Sequence, residues 1–151
     1  MIDAAYQFKI IGKPRSQKNN KVIVRYPDKK SPSGWGTALV DGAQVKSWRK
    51  DSVRQLEGQW VGRPPLDGKL AAVLTSYLGT RQRGDTDNLL AGPLDALETA
   101  GVVTNDRIFD TVVSIRKRDH DNPRSELVIM PDDWLDIRTC RPETQKENLD
   151  D

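Results

Sequence analysis

The stretch GKLAAVLTSYL at 68–78 constrains the fold of this chain more than any other segment. It is short, and its apolar residues are nearly continuous, which predicts a strand at the centre of a sheet. The whole chain has 151 residues. That length is enough for one sizeable core and too short for two ordinary domains. We therefore expect a single domain built around this strand.

Periodicity predicts the elements that surround the central strand. In residues 4–12, Tyr6, Phe8 and Ile10 alternate with polar residues, which is typical of a first strand. Apolar residues that include Trp48 and Trp60 recur at helical spacing and predict a helix over 43–60, with both tryptophans in the core. Further strands are predicted at 21–26, 109–117 and 125–130, and a long loop over the Pro-, Gly- and Ser-rich stretch 27–42. A second helix is predicted at 87–101, and Pro93 should either kink it or restart it.

The resulting element order is β-β-α-β-α-β-β. Helices are interspersed among strands and several connections are short, so we expect an α+β domain with one mixed sheet and helices packed on it. We place this domain at residues 1–131. Residues 132–151 hold 7 acidic and 3 basic side chains with little periodicity, and they are predicted to form a flexible acidic tail.

Composition excludes several classes of protein. The single cysteine, Cys140, allows no intrachain disulfide, and the single histidine, His120, argues against Ser-His-Asp and Cys-His hydrolases. No apolar run approaches the roughly 18 residues of a membrane span, and no basic segment followed by an apolar one begins the chain. We expect a cytoplasmic protein with no membrane partner.

The charges are distributed unevenly along the chain. Residues 1–80 hold 14 Lys and Arg against 6 Asp and Glu, which is +8, whereas residues 81–151 hold 10 against 16, which is −6. A basic half suggests a polyanionic partner, and the acidic half suggests carboxylates gathered for another purpose. The alternative interpretation is an ordinary solvated surface of mixed charge.

Three aspartates are the strongest candidates for chemistry. Asp85 and Asp87 follow the central strand at the start of the second helix, and Asp106 follows that helix by a short loop. If the chain returns to the same end of the sheet, the three carboxylates converge and form an oxygen-rich site suited to Mg²⁺. The alternative is that Asp87 caps the helix and Asp106 is an ordinary turn residue.

The same segment resembles a known family. Asp85-x-Asp87-Asn88-Leu89, then Leu94-Asp95-Ala96-Leu97, Ala100-Gly101 and Asn105-Asp106 are similar in order and spacing to RusA-type Holliday junction endodeoxyribonucleases, as is the early loop with Pro14, Ser16, Asn19 and Asn20. The resemblance covers roughly residues 5–131. It implies a metal-dependent DNA resolvase, of a kind often found in phages and prophages.

The resemblance implies roles for individual residues. Asp85, Asp87 and Asp106 match the catalytic carboxylates that hold Mg²⁺, with Mn²⁺ as a substitute, and Asn88 matches the neighbouring asparagine. One position departs from the pattern, because Ala91 stands where the family usually has a catalytic lysine. Substitutes for this cation are Lys69, Arg81, Arg83 and Arg107.

The resemblance also implies a homodimer that acts on branched DNA. A twofold dimer presents two identical sites to a four-way junction, which predicts paired, symmetric nicks. Residues that are expected to contact phosphates are Lys13, Arg15, Lys18, Asn20, Lys21, Arg81, Arg83, Arg116, Lys117 and Arg118. Three hypotheses stand: an active resolvase, a related protein that binds branched DNA but cleaves it weakly because Ala91 replaces lysine, and an unrelated α+β binding module.

Overall fold

The computed structural model describes residues 2–16, 21–82 and 88–136, and the backbone of residues 141–142. Among these residues the elements follow the order β1 (Tyr6–Ile11), β2 (Lys21–Pro27), β3 (Trp35–Asp41), α1 (Ala43–Gln59), β4 (Leu70–Leu78), α2 (Ala91–Thr99), β5 (Phe109–Arg118), β6 (Arg124–Pro131), β7 (Leu135–Asp136) and β8 (Arg141–Pro142). Short 3-10 turns at Asp106–Ile108 and Asp132–Trp134 precede β5 and β7.

Four strands form the main sheet, in the order β1-β6-β4-β5. β4 pairs in parallel with β5 and antiparallel with β6, and β6 pairs antiparallel with β1. β4 therefore has a neighbour on each side, and most of its side chains are buried. The central strand and the mixed α+β sheet are confirmed.

Helices cover one face of the sheet, and the segment just after β6 covers part of the other. The larger core joins β1, β4 and β6 to both helices, and Trp48 and Trp60 are buried in it as predicted. A smaller cluster of Ala71, Val73 and Met130 is covered by Trp134 and Leu135. Packed side chains thus continue past residue 131. The flexible tail, with its boundary at 131, stays a prediction, because 137–140 and 143–151 lie outside the described residues.

Two glutamines of α1 satisfy the free edge of β1. The side chain of Gln59 accepts a hydrogen bond from the Lys9 amide at 2.9 Å and donates to the Lys9 carbonyl at 2.7 Å. The side chain of Gln55 likewise accepts a hydrogen bond from the Ile11 amide at 2.8 Å and donates to the Ile11 carbonyl at 3.0 Å. Exposed strand edges attract other chains, so these contacts both close the edge and fix α1 against β1.

The predicted long loop over 27–42 is wrong, because it contains β3. The turn-forming residues are concentrated before Trp35, where Gly34 adopts a positive φ of 73° that closes the connection. β3 then pairs antiparallel with β2, and Gly36 lies directly under the ring of Tyr26. This two-stranded hairpin is separate from the main sheet, and every residue of β2 is exposed.

The second helix differs from the prediction at its start. It begins at Ala91, so Pro93 falls in its first turn, where a missing N–H costs no helical hydrogen bond and produces no kink. Its end is as predicted. Gly101 has a φ of 72° and donates to the Glu98 carbonyl, while Val102 donates to the Leu97 carbonyl. This pair of bonds is the Schellman motif, which satisfies the last carbonyls of the helix.

Neither α-helix of the described residues is long and apolar enough to cross a membrane.

Candidate nucleic-acid interface and carboxylate site

The parallel pairing of β4 with β5 divides the sheet into two functional ends. Leu70 lies beside Phe109 where both strands begin, and Leu78 lies beside Arg118 where both finish. We call these the start edge and the finish edge. At about 3.3 Å per residue, the nine residues of β4 separate the two edges by about 26 Å. Most of the candidate residues that the structure describes lie near one edge or the other.

Asp106 lies at the start edge. It opens the 3-10 turn that leads into β5, and its backbone N–H donates to Glu98 Oε2 at 3.2 Å. The Asn105 side chain accepts from the Arg107 N–H at 2.8 Å, which fixes the turn further. Within residues 2–16, 21–82 and 88–136, the Asp106 carboxylate makes no hydrogen bond or ion pair of its own. Its oxygens are therefore available to a cation.

The expectation that Asp106 returns to the end of the sheet where β4 finishes is wrong. A parallel pair needs a crossover, and here α2 carries the chain from the finish of β4 back to the start of β5. Asp85 and Asp87 lie outside the described residues, so their convergence with Asp106 stays a prediction. No three His, Cys, Asp or Glu side chains within the described part of the chain lie close enough together to hold a metal ion.

Two of the candidate cations share the start edge with Asp106. Lys69 immediately precedes β4, Arg107 follows Asp106 within the same turn, and both side chains are exposed. Asn88 is buried in the turn before α2. Ala91, at the position where the family usually has lysine, is the first residue of α2. Residues 88–90 form a turn and not the first residues of the helix that was predicted over 87–101.

The finish edge collects most of the predicted phosphate contacts. The loop after β1 reaches it through the Gly12 amide, which donates to the Pro123 carbonyl at 3.1 Å, and through Pro14, whose carbonyl accepts from the Gln82 side chain. The basic side chains brought to this edge are Lys13, Arg15, Arg81, Arg116, Lys117 and Arg118. Lys18, Asn20 and Arg83 lie outside the described residues.

Lys21 is directed away from this group. It pairs with Asp41 across the β2–β3 hairpin, and Arg49 of α1 reaches the same carboxylate at 3.1 Å. The hydrogen bond from Lys21, followed by the charges of both cations, lowers the pKa of Asp41. These contacts fix the base of the hairpin to α1, so Lys21 has a structural partner that its sequence position did not reveal.

Arg118 holds the loop that follows β4. Its guanidinium donates to the Gly79 carbonyl at 3.2 Å and to the Gln82 carbonyl. The Gln82 side chain in turn accepts from the Gly79 N–H at 3.2 Å. Arg118 was predicted to contact phosphates, and the structure adds a positioning role: it fixes the stretch that leads directly towards Asp85 and Asp87.

A second arginine connects β6 to the same edge. Arg124 stacks on the ring of Tyr77 at 3.7 Å and forms ion pairs with Glu126 at 2.6 Å and Asp119 at 2.7 Å. The hydrogen bond from Arg124, together with one from the Asn122 amide, lowers the pKa of Asp119. Asp119 and Arg124 thus fix the connection between β5 and β6, next to Arg116, Lys117 and Arg118.

Sequence reasoning missed a further basic surface on α1. A wide groove of about 1070 Å³ is lined by Lys13, Arg15, Lys46, Arg49, Lys50 and Arg54, among others. The signal in the sequence is the spacing of the four helical cations at positions i, i+3, i+4 and i+8, which places them on one face of the helix.

Comparison with known proteins places the chain in a family. The family model described as Endodeoxyribonuclease RusA matches residues 8–130. The chain belongs to the RusA family. A relative from Aquifex aeolicus (strain VF5), named crossover junction endodeoxyribonuclease RusA, is 30% identical over 82 residues. That match covers 54% of this chain and 64% of the relative, so the chain spans slightly less than two thirds of the relative's length.

The match to the RusA family covers both edges of the sheet and the groove on α1. It confirms the resemblance that the aspartate motifs indicated. Of the three aspartates that the resemblance singled out, Asp106 lies at the start edge, while most of the described basic residues that are predicted to contact phosphates lie at the finish edge.

The lowered pKa of Asp119 predicts a pH-dependent contribution to stability. Its charged form is favoured in the folded state, so its stabilisation is present above the ordinary carboxyl pKa of about 4 and is lost as pH falls below it. Asp119→Asn should therefore be less stable than the parent protein at pH 7, and the difference should be smaller at pH 3. Urea unfolding at both pH values measures this, with Asp121→Asn as control. If the free energies of unfolding of the two proteins differ by the same amount at both pH values, the charge of Asp119 does not stabilise the fold.

Proposed function

We propose that this protein is a Mg²⁺-dependent endodeoxyribonuclease that resolves Holliday junctions or other branched DNA during recombination or repair. The observation that carries the proposal is the match of residues 8–130 to a family model described as an endodeoxyribonuclease. The printed name of the Aquifex relative, a crossover junction enzyme, favours four-way junctions as the substrate. The single cysteine agrees with action in the reducing cytoplasm.

Asp85, Asp87 and Asp106 are the proposed Mg²⁺ ligands, with Mn²⁺ as a substitute. The unpaired carboxylate of Asp106 supports this, because hard divalent cations prefer carboxylate oxygens. Bound Mg²⁺ would polarise a phosphoryl oxygen and lower the pKa of a bound water. Lys69 and Arg107 lie at the same edge of the sheet as Asp106, and we propose that they stabilise negative charge on the phosphate.

The basic residues of the finish edge are proposed to bind the phosphate backbone. Exposed lysines and arginines confer affinity for DNA without sequence preference. Because Arg118 is bonded to two backbone carbonyls, we assign it chiefly to loop positioning, and Arg116 and Lys117 to DNA.

A homodimer is proposed because paired nicks need two equivalent sites. The β2–β3 hairpin supports this. An isolated two-stranded hairpin is marginally stable, yet this one exposes paired apolar side chains, Ile23 at 74% and Leu39 at 66%. We propose that a second copy of the chain covers them.

The alternative is a RusA-family protein that binds branched DNA but cleaves it weakly. The observation that favours it is Ala91, whose methyl group cannot supply the positive charge of the family's usual lysine.

The first test of the proposed function is Asp106→Asn. The amide has nearly the same shape but is a poor ligand for Mg²⁺, so cleavage of a synthetic four-way junction should fall by more than about 100-fold. Junction binding without Mg²⁺ should stay unchanged, and Asp110→Asn should cleave like the parent protein. Equal cleavage by Asp106→Asn and the parent protein would remove Asp106 from the site, and no cleavage by the parent protein would favour the alternative.

Ala91→Lys tests whether the missing lysine limits activity. If the position is vacant, single-turnover cleavage should rise, by up to about 100- to 1,000-fold for a donor that acts only in the transition state. Ala91→Gln, which has a long polar side chain without charge, should not produce the rise. An unchanged rate in Ala91→Lys, together with loss of cleavage in Arg83→Ala, would place the cation at Arg83 instead.

The hairpin predicts the oligomeric state. Sedimentation should give a dimer for the parent protein and a monomer for Ile23→Glu, because a buried, unpaired carboxylate is costly at an apolar interface. Val61→Glu alters an equally exposed apolar residue outside the hairpin and should remain dimeric. A monomeric parent protein, or a dimeric Ile23→Glu variant, would contradict the interface.

A further inference from the structure

The groove on α1 carries an excess of positive charge. The basic side chains that line it are Lys13, Arg15, Lys46, Arg49, Lys50 and Arg54, and its acidic ones are Asp51 and Glu57. Arg54 pairs with Asp51 at 2.7 Å, and Arg49 pairs with Asp41 outside the groove. After these two pairs, four basic side chains of the groove remain against one acidic side chain, Glu57.

Four of these cations have no counterion among the residues that the structure describes. Among the described residues, Lys13, Arg15, Lys46 and Lys50 take part in no ion pair, and both lysines of α1 are exposed. Clustered unpaired cations repel one another, so they lower the stability of the isolated domain unless an anion is bound. A groove of this kind favours an extended polyanion.

The dimensions of the groove fit a nucleic-acid backbone. Lys46 and Arg54 are eight residues apart on α1, which is about 12 Å along the helix axis. Arg15 and Lys13 extend the row beyond the helix to the finish edge, where the other basic residues lie. The positive surface therefore continues from the finish edge along α1.

The other wall of the groove approaches the start edge. Thr99, the last residue of α2, lines the groove, and its neighbour Glu98 accepts a hydrogen bond from the Asp106 amide. A DNA strand bound along α1 would thus pass close to the turn that carries Asp106. The groove therefore extends from the finish edge, through Thr99, towards the start edge.

We propose that this groove binds one duplex arm of branched DNA through its phosphate backbone, with Lys46 and Lys50 as the main contacts. The proposal rests on the proposed function only in naming DNA as the polyanion. The contact is independent of sequence, because lysine ammonium groups read charge and not base edges. Its role is to direct an arm of the junction past Asp106.

The test is a double variant with a matched control. Lys46→Ala with Lys50→Ala removes two charges from the groove, and Lys29→Ala with Lys30→Ala removes two from the exposed connection between β2 and β3. Binding to a 30-base-pair duplex and to a four-way junction is measured from 50 to 300 mM salt. Thermal unfolding verifies that both variants are folded.

The groove variant should bind both DNAs on the order of 10-fold or more weakly at 100 mM salt. Its log–log slope against salt should be shallower by about 1.8, since each phosphate contact contributes about 0.9. The control should match the parent protein. Equal binding by the two double variants, or a parent protein that binds no duplex, would overturn the proposal that the groove binds DNA.

Failure of the groove and failure of the proposed function give different results. If the parent protein binds DNA through Lys46 and Lys50 but never cleaves a junction, DNA binding by the groove is supported and the proposed nuclease activity is contradicted. If the groove variant binds and cleaves like the parent protein, DNA binding by the groove is contradicted and the proposed nuclease activity is unaffected.

Discussion

The parallel pairing of β4 with β5 is the constraint on which the rest of the structure depends. A parallel pair requires a crossover, and α2 supplies it while packing against α1 over the core. The same crossover separates the candidate chemistry: Asp106 precedes β5 at one edge of the sheet, and the loop held by Arg118 follows β4 at the other. The basic residues of the finish edge and Asp106 therefore lie on distinct surfaces, and the proposed DNA contact along the groove on α1 would extend from the first towards the second.

Much of the fold could be predicted from periodicity. α1, β1 and β4 each combine a strong apolar pattern with a clear boundary, so local residues determine them. β3 was missed because its strand residues follow directly on turn-forming ones, and its partner β2 packs against no core. The start of α2 was misplaced because Asp87 has the chemistry of a helix cap, whereas tertiary packing begins the helix at Ala91.

The site was only partly predictable, for a different physical reason. The aspartates and most of the basic residues could be recognised from residue type and order, and they lie within the segment that the family model matches, although their individual roles stay predictions. The spatial grouping of these residues could not be predicted, because it depends on the order of the strands in the sheet, which no local stretch of the sequence determines. Lys21 illustrates this: its partner Asp41 lies across a hairpin that was not expected. The cations of α1 were visible, but only the loop at Lys13 and Arg15 turns them into a groove.

The account depends most on Asp106 as a cation ligand. Paramagnetic line broadening by Mn²⁺ tests this directly, because the ion broadens the amide signals of residues near its site and needs no DNA. At substoichiometric Mn²⁺, the signals of Asp106 and Arg107 should broaden first, and Asp106→Asn should abolish the effect while Asp110→Asn keeps it. Broadening that never reaches Asp106, or that is unchanged in Asp106→Asn, would contradict the account.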